Sequence, residues 1–517
     1  MRGARRRRLI AIGSVAAALF GVAGVVGAYW SAGSNPGGNG HALAGALPTA
    51  ATPSVSLSGR TATVSWAQSS VNGSSLGQLP SGGYSVTRYA EADPGTPIAP
   101  GGTCAGVLSG TSDPLSCMES GLATGRWTYT VTPLLYSWTG GESTPSPSAI
   151  IAPDRPASVT LTNGGGAGGA FINTTNQSSL SFAVVLLATS LASDTATLTL
   201  TDGSQTVIAT AAGIDGGGTL TFTGVDASAL ANGSITISAR AASSYGDISA
   251  PRTITRTKDT NGPTLVSLSM RDVNTNGKVD RVLATFSESL AAYSAGTAPW
   301  TLANVPSGGS LSSVSVSGAV ATLTIAEGAG AADTAVGSFS VALSTSATGI
   351  RDAAGNLASF AATSPADGAR PVPIAVTSTN NGTTAGLMEA GDILQVTFSE
   401  TLAALGSAVT TVTESDPTGS GSDRLTVTGL TAVAGVSTGS NLYVVTDNTS
   451  ASFVSSAIGL AGAIVTATVS GSCTGTCGAN LGVGIGALVF TPDPTLQDSS
   501  GNTAAGSFTT AATFRLF

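Results

Sequence analysis

The chain holds one histidine, His41, and two lysines, Lys258 and Lys278, among 517 residues. A Ser-His-Asp relay needs an imidazole base beside its nucleophile. His41 lies in a Gly- and Ala-rich stretch, so the G-x-S-x-G match at Gly435-Val-Ser437-Thr-Gly439 has no base to serve it. Both lysines fall in linker or loop sequence, which excludes Lys–Asn isopeptide cross-links from the cores. Charge is equally scarce. Asp, Glu, Lys and Arg make up 9% of the chain, against about 25% in an ordinary soluble domain. Formal net charge is −8, and five arginines precede residue 28, so the remainder is more acidic still. No basic patch exists for phosphate contacts, which excludes nucleic acid as a partner. Aromatic residues are 5%, and nowhere do they cluster with acidic residues as a sugar-cleaving cleft requires.

What is present begins with an export signal. Arg5 to Arg8 form a basic block, and Leu9 to Trp30 then run without a charge. The small residues Val26-Gly27-Ala28 fit a signal-peptidase site. The same stretch is long enough to span a bilayer, and uncleaved it would leave the arginines in the cytoplasm and the rest outside. Residues 1–30 therefore read as a signal peptide or an N-terminal membrane anchor. Residues 31–52, rich in Gly, Pro, Ala and Ser, read as a flexible linker. Four cysteines fall into two close pairs, Cys104/Cys117 and Cys473/Cys477. In an exported chain each pair reads as a local disulfide. The rival, a metal site, needs four soft ligands together, and the single histidine is in the linker.

From Pro53 onward the pattern has period two. Thr195-Ala-Thr-Leu-Thr-Leu200, Thr219-Leu-Thr-Phe-Thr223, Ser234-Ile-Thr-Ile-Ser238 and Thr322-Leu-Thr-Ile325 set aliphatic residues on one face and Ser or Thr on the other. Gly, Asn, Asp and Ser clusters interrupt these runs every ten residues or so, the rhythm of antiparallel sandwiches. No long amphipathic helix follows residue 30; the Ala-rich stretch 452–463 has the composition of a short one. The fold class is all-β: tandem Ig-like or fibronectin III-like sandwiches after the N-terminal segment, cut at 53–152, 153–256, 257–371 and 372–517.

The 53–152 region carries Val64-Ser-Trp66, Tyr129 with Val131, and Gly141, Ser143, Pro145 and Ser146. This set resembles the fibronectin type III domain, in which an early Trp packs the core, a Tyr two before an aliphatic marks a late strand, and a Ser/Pro turn leads to the last strand. The 153–256 region shows only generic Ig-like alternation. The last two regions repeat one another. Val282-Leu-Ala-Thr-Phe-Ser-Glu288 recurs as Leu394-Gln-Val-Thr-Phe-Ser-Glu400, and Asp352-Ala-Ala-Gly-Asn356 as Asp498-Ser-Ser-Gly-Asn502. Thr-Phe-Ser-Glu followed by Asp-x-x-Gly-Asn is similar to the bacterial Ig-like domains of S-layer proteins. That resemblance implies a cell-surface location more than any one task.

The sharpest ligand signal is Asp272-Val-Asn274-Thr-Asn276-Gly277-Lys278-Val-Asp280. Oxygen side chains at positions 1, 3, 5 and 9, Gly at 6 and the Lys278 carbonyl at 7 match a calcium loop. Position 12 is Leu283 instead of Glu, so another carboxylate, such as Glu288, has to complete the shell. The alternative is a polar turn held by Asx hydrogen bonds. Asn380-Asn-Gly382 with Glu389 and Asp392 occupies the corresponding place in the last region with broken spacing. Asp352/Asn356 and Asp498/Asn502 read as turn residues.

These readings converge on a non-enzymatic, secreted or surface-attached structural or adhesive protein, a rod of sandwiches with a calcium-stiffened junction. Its expected partners are other surface proteins, polysaccharide or further copies of itself, and the membrane if the N-terminal segment is retained. The alternative is a carbohydrate-binding or accessory module, for which Trp127, Trp138 and Trp300 are the candidate exposed aromatics.

Overall fold

A computed structural model describes residues 28–33, 41–417, 421–478 and 481–517. Of the expected signal or anchor segment 1–30, residues 1–27 lie outside them. The chain is all-β: apart from four 3-10 turns, every element among the described residues is a strand. It divides into two compact units, 1–162 with 178–256, and 163–177 with 257–517. Ala28–Gly33, which begins in the stretch read as signal or anchor and ends in the one read as linker, pairs with His41–Ala46 as an antiparallel ribbon. Leu47 and Ala50, just after it, are already buried in the first core.

In unit 1 the first sandwich has one sheet in the order Leu115–Glu119, Thr61–Trp66, Ser54–Ser58. The other is built on the long pair Gly82–Ala90 and Gly125–Leu135. Thr61–Trp66 buries every second residue, so Ala62, Val64 and Trp66 enter one core with Tyr84, Val86, Tyr129 and Val131 from the opposite sheet. Trp66 meets Tyr84 edge to face at 5.7 Å. Cys104 and Cys117 are disulfide-bonded within this core.

The fibronectin-like turn has a physical logic. Pro145 and Pro147 cannot donate to a ladder. Ser143 and Ser146 compensate: their N–H groups donate to the Val131 and Tyr129 carbonyls, and their Oγ atoms accept from the Val131 and Tyr129 N–H. Ser249, followed by Ala250 and Pro251, repeats this on Ala241 in the second sandwich. Gly140-x-x-Ser143-x-Pro145 and Gly246-x-x-Ser249-x-Pro251 are thus one device used twice. The second sandwich pairs Ser158–Leu161, Leu180–Leu186 and Gly218–Val225 in one sheet, with Gly233–Ala242, Thr195–Thr201 and Thr206–Ala212 in the other.

Burying Tyr129 demands a partner for its hydroxyl. It donates to Glu119 Oε2 at 2.8 Å. Glu119 Oε1 accepts from the Arg88 guanidinium and the Gly101 N–H. Burial, then the adjacent Glu119, pushes the Tyr129 phenol well above its usual range. Tyr129→Phe leaves a buried carboxylate oxygen short of a donor and should cost about 1–3 kcal/mol, read as a lower urea midpoint with an unchanged slope.

Unit 2 holds two sandwiches. The first has a five-stranded sheet in the order Ser310–Ser317, Val320–Ala326, Arg281–Phe286, Leu265–Arg271, Ala366–Asp367, and a three-stranded sheet in the order Trp300–Ala303, Ser340–Leu343, Phe360–Thr363. The second has a ten-stranded sheet that runs from Pro373–Thr379 through Ile393–Phe398 to Val489–Phe490 and Phe508–Thr509. Phe398 and Phe490, far apart in that order, lie 6.5 Å from each other, so the sheet closes over a single core. The stretch 452–463, read as a possible short helix, lies mostly in the 12-residue strand Ser450–Ala461. Pairing with Val409–Ser415 on one side and Ile464–Thr468 on the other overrides alanine's helix preference.

Candidate metal centres

The two repeated motifs of unit 2 meet in space. Arg281–Phe286 and Ile393–Phe398 each end on a buried Phe, and the Glu two residues later leaves the sheet at its rim. In the first sandwich Glu288 joins Asp259 and Asp352; in the second Glu400 joins Asp367 and Asp498. In each trio one oxygen from every carboxylate lies within 4.8 Å of the others. Calcium–oxygen bonds of about 2.3–2.6 Å place opposite ligands up to about 5 Å apart, and the oxygens of both trios are spaced within that limit.

The Asp-x-x-Gly-Asn loop builds this geometry. Asp352 Oδ1 accepts the Asn356 N–H at 2.8 Å and Oδ2 accepts the Asn356 amide at 2.7 Å. Asp498 and Asn502 repeat both bonds at 2.8 Å. Gly355 and Gly501 supply the left-handed turn, with φ of +91° and +87°. The Asn amide also reaches the carbonyl of the first Asp: Asn356 to Asp259 at 2.9 Å, Asn502 to Asp367 at 3.3 Å. The turn role expected of these residues is therefore present, and it positions two carboxylates of each trio. Sequence reasoning missed the third. Its signal is Asp259-x-x-x-Pro263 and Asp367-x-x-x-Pro371, an Asp four residues before a Pro at each domain entry.

Each trio brings three carboxylates of like charge together. Burial raises the Glu288 carboxyl, and Asp352 and Asp259 raise it further. Glu400, buried and donated to by the Thr334 hydroxyl at 2.7 Å, is pushed up to about 8 by burial and by Asp367 and Asp498.

The Asp272–Asp280 loop is arranged differently from expectation. Glu288 sits in its trio and does not close this loop; Glu327 does. Its two oxygens accept from the Asn274 and Asn276 amides at 2.8 Å. Asp272 accepts from the Asn276 and Gly277 N–H, Asn274 from Asn276, and Asn276 from Lys278. These are the bonds of an Asx turn. The Lys278 ammonium reaches away to the Gly328 carbonyl at 2.7 Å. Asp280 accepts the Asn274 N–H through Oδ2, while its Oδ1 is buried without a partner among the described residues. At 380–392, Asp392 accepts from three backbone N–H groups and Glu389 from Thr383 and Thr384, so those oxygens serve the turn.

Cys473 and Cys477 are disulfide-bonded, as spacing suggested. Ser437 pairs within the ten-stranded sheet. Of the three tryptophans, Trp300 is buried. Trp138 is half-buried against the first core, and Trp127 lies under the Arg88 guanidinium at 4.5 Å.

No family model and no curated protein matches the chain. Among solved structures it is similar to the FN1–FN3 domains of chicken CNTN1, at 11% identity over 62% of this chain and 99% of that one, with a TM-score of 0.20. It is also similar to a tetra-tandem repeat in the extending region of a large adhesion protein, at 17% identity over 90% and 99%, with a TM-score of 0.28.

Proposed function

We propose that this chain is a non-enzymatic extracellular structural or adhesive protein of the bacterial cell surface, whose unit 2 sandwiches each hold one calcium ion. The observation that carries the reading is the recurrence of one carboxylate trio, on the same two motifs, in two successive sandwiches. A repeated site of hard oxygen ligands suits calcium. Each trio draws on the residues entering a sandwich and on that sandwich's last loop, so an ion there stiffens a domain entry. Two disulfides fit an oxidising compartment. The proposed partners are neighbouring surface proteins, polysaccharide or other copies of the chain.

The test is fractionation of the native cells, combined with protease shaving of intact cells in calcium and in EDTA. The expected result is antigen in the surface or medium fraction, with unit 2 cleaved faster in EDTA. Antigen confined to the cytoplasm, or cleavage indifferent to calcium, sinks the reading.

A further inference from the structure

A second group of carboxylates in unit 2 belongs to neither trio. Val409–Ser415 and Arg424–Val427 pair antiparallel, with Glu414 opposite Leu425 and Ser415 opposite Arg424. The next step of that register sets Asp416 opposite Asp423. Side chains alternate along a strand, so Glu414, Asp416 and Asp423 project from one face, and it is the inward one. Glu414 and Asp423 are 0% exposed and Asp416 is 6% exposed.

The hydrogen bonding there is incomplete. Asp423 Oδ2 accepts the Tyr443 and Val444 N–H at 2.7 and 3.1 Å. Asp423 Oδ1, Asp416 Oδ1 and both oxygens of Glu414 are buried with no hydrogen-bond partner among the described residues. The neighbouring charges are Asp447 beside Asp416, and Asp392 toward Glu414. Asp392 is already committed to three backbone N–H groups. Arg515 faces Tyr443 and pairs with none of these carboxylates among the described residues.

An unpaired carboxylate in the interior costs several kcal/mol. A proton on Glu414 removes one charge, and one shared with Asp447 serves Asp416, but neither gives Asp423 Oδ1 a cationic partner. A hard divalent cation answers all four oxygens at once. We propose that Glu414, Asp416 and Asp423 form a calcium-class cation site inside the second sandwich of unit 2, separate from the two trios. These carboxylates are set wider than those of the trios, so the ion draws them together and fastens the ends of the two paired strands.

The full chain and its Glu414→Gln, Asp416→Asn and Glu400→Gln variants are melted at neutral pH in EDTA and in calcium, and titrated with terbium alone. Tyr443, beside Glu414 and Asp423, is the expected sensitiser of bound terbium. In EDTA, E414Q should melt no lower than wild type, because a neutral amide replaces a buried carboxyl that its acidic neighbours disfavour ionising; in calcium it should melt below wild type. D416N, at the strand's end, should weaken terbium binding by about tenfold or more and serves if E414Q misfolds. E400Q should leave the tyrosine-sensitised emission intact, which separates this site from the trios. If E414Q melts no lower than wild type in both media, or D416N retains full terbium emission, Glu414 is a buried protonated acid and the proposal fails.

Discussion

Glu400→Gln is expected to abolish most of the calcium-dependent stabilisation of the second sandwich of unit 2 while leaving the calcium-free protein folded. Gln keeps the shape of Glu and can still accept from the Thr334 hydroxyl, so the loss is one of charge at the ion. At ten to a hundred times the dissociation constant, one site contributes about 1.4–2.7 kcal/mol. For a domain of this size that corresponds to about 3–10 °C in melting temperature. Glu288→Gln should do the same to the first sandwich. The pH dependence has a definite sign. In EDTA the Glu400 carboxyl is raised from 4.5 to about 8 by burial and its acidic neighbours. The folded state therefore holds the proton more tightly than the unfolded chain. That contribution is fully present below about pH 4.5 and is lost as pH rises through about 8. Calcium must displace the same proton, so its affinity should climb across this window. Calorimetry in EDTA and in calcium, from pH 5 to 8.5, checks both halves. A calcium shift equal in E400Q and wild type removes this trio from the metal assignment.

The all-β architecture was legible because period-two alternation is a direct image of a strand with one buried face. Thr61–Trp66 and Val320–Ala326 bury every second residue as their sequences imply. The repeat was legible too, but its chemistry was only half so. Thr-Phe-Ser-Glu and Asp-x-x-Gly-Asn are some sixty residues apart in one sandwich and a hundred in the other, and nothing local announces that they converge. Asp259 and Asp367 carry no flanking pattern beyond a later Pro, so only the closed sandwich reveals them. The Asp272 loop was legible in its spacing but not in its closing carboxylate. That is Glu327, 47 residues downstream of Asp280, which accepts from the Asn274 and Asn276 amides. Glu414 was hidden by alternation itself. In Val409–Ser415 polar residues occupy both faces, so an inward Glu is indistinguishable from an outward one until the register is known. The Ala-rich strand Ser450–Ala461 shows the same limit, since its state is decided by two neighbours and not by its own composition.

Asn356→Ala should be among the most destabilising single changes in unit 2, and more so than Asn502→Ala. Asn356 is 1% exposed. Its amide donates to the Asp259 carbonyl at 2.9 Å, the Asn261 carbonyl at 3.2 Å and Asp352 Oδ2 at 2.7 Å. Its Oδ1 accepts from both the N–H and the hydroxyl of Thr174, at 3.1 and 2.9 Å. Truncation orphans several buried groups at once. At about 1–3 kcal/mol for each group left unsatisfied, with partial relaxation, the loss should reach about 3 kcal/mol or more. Asn502 bridges only Asp498 and the Asp367 carbonyl and is half-buried, so its loss should be nearer 1–2 kcal/mol. Asn356→Asp should be worse than Ala, because a fourth negative charge would face two carbonyls and the trio. The same change loosens the 163–177 segment, which Thr174 ties to Asn356, and frees the Asp259 backbone that sets one calcium ligand. Hydrogen exchange should therefore rise around residue 174, and calcium affinity at this trio should fall about 10–100-fold. The second trio should keep its affinity in N356A. A variant that loses stability but binds calcium at both sites as tightly as wild type would make Asn356 a brace of the fold alone, with no part in positioning the ion.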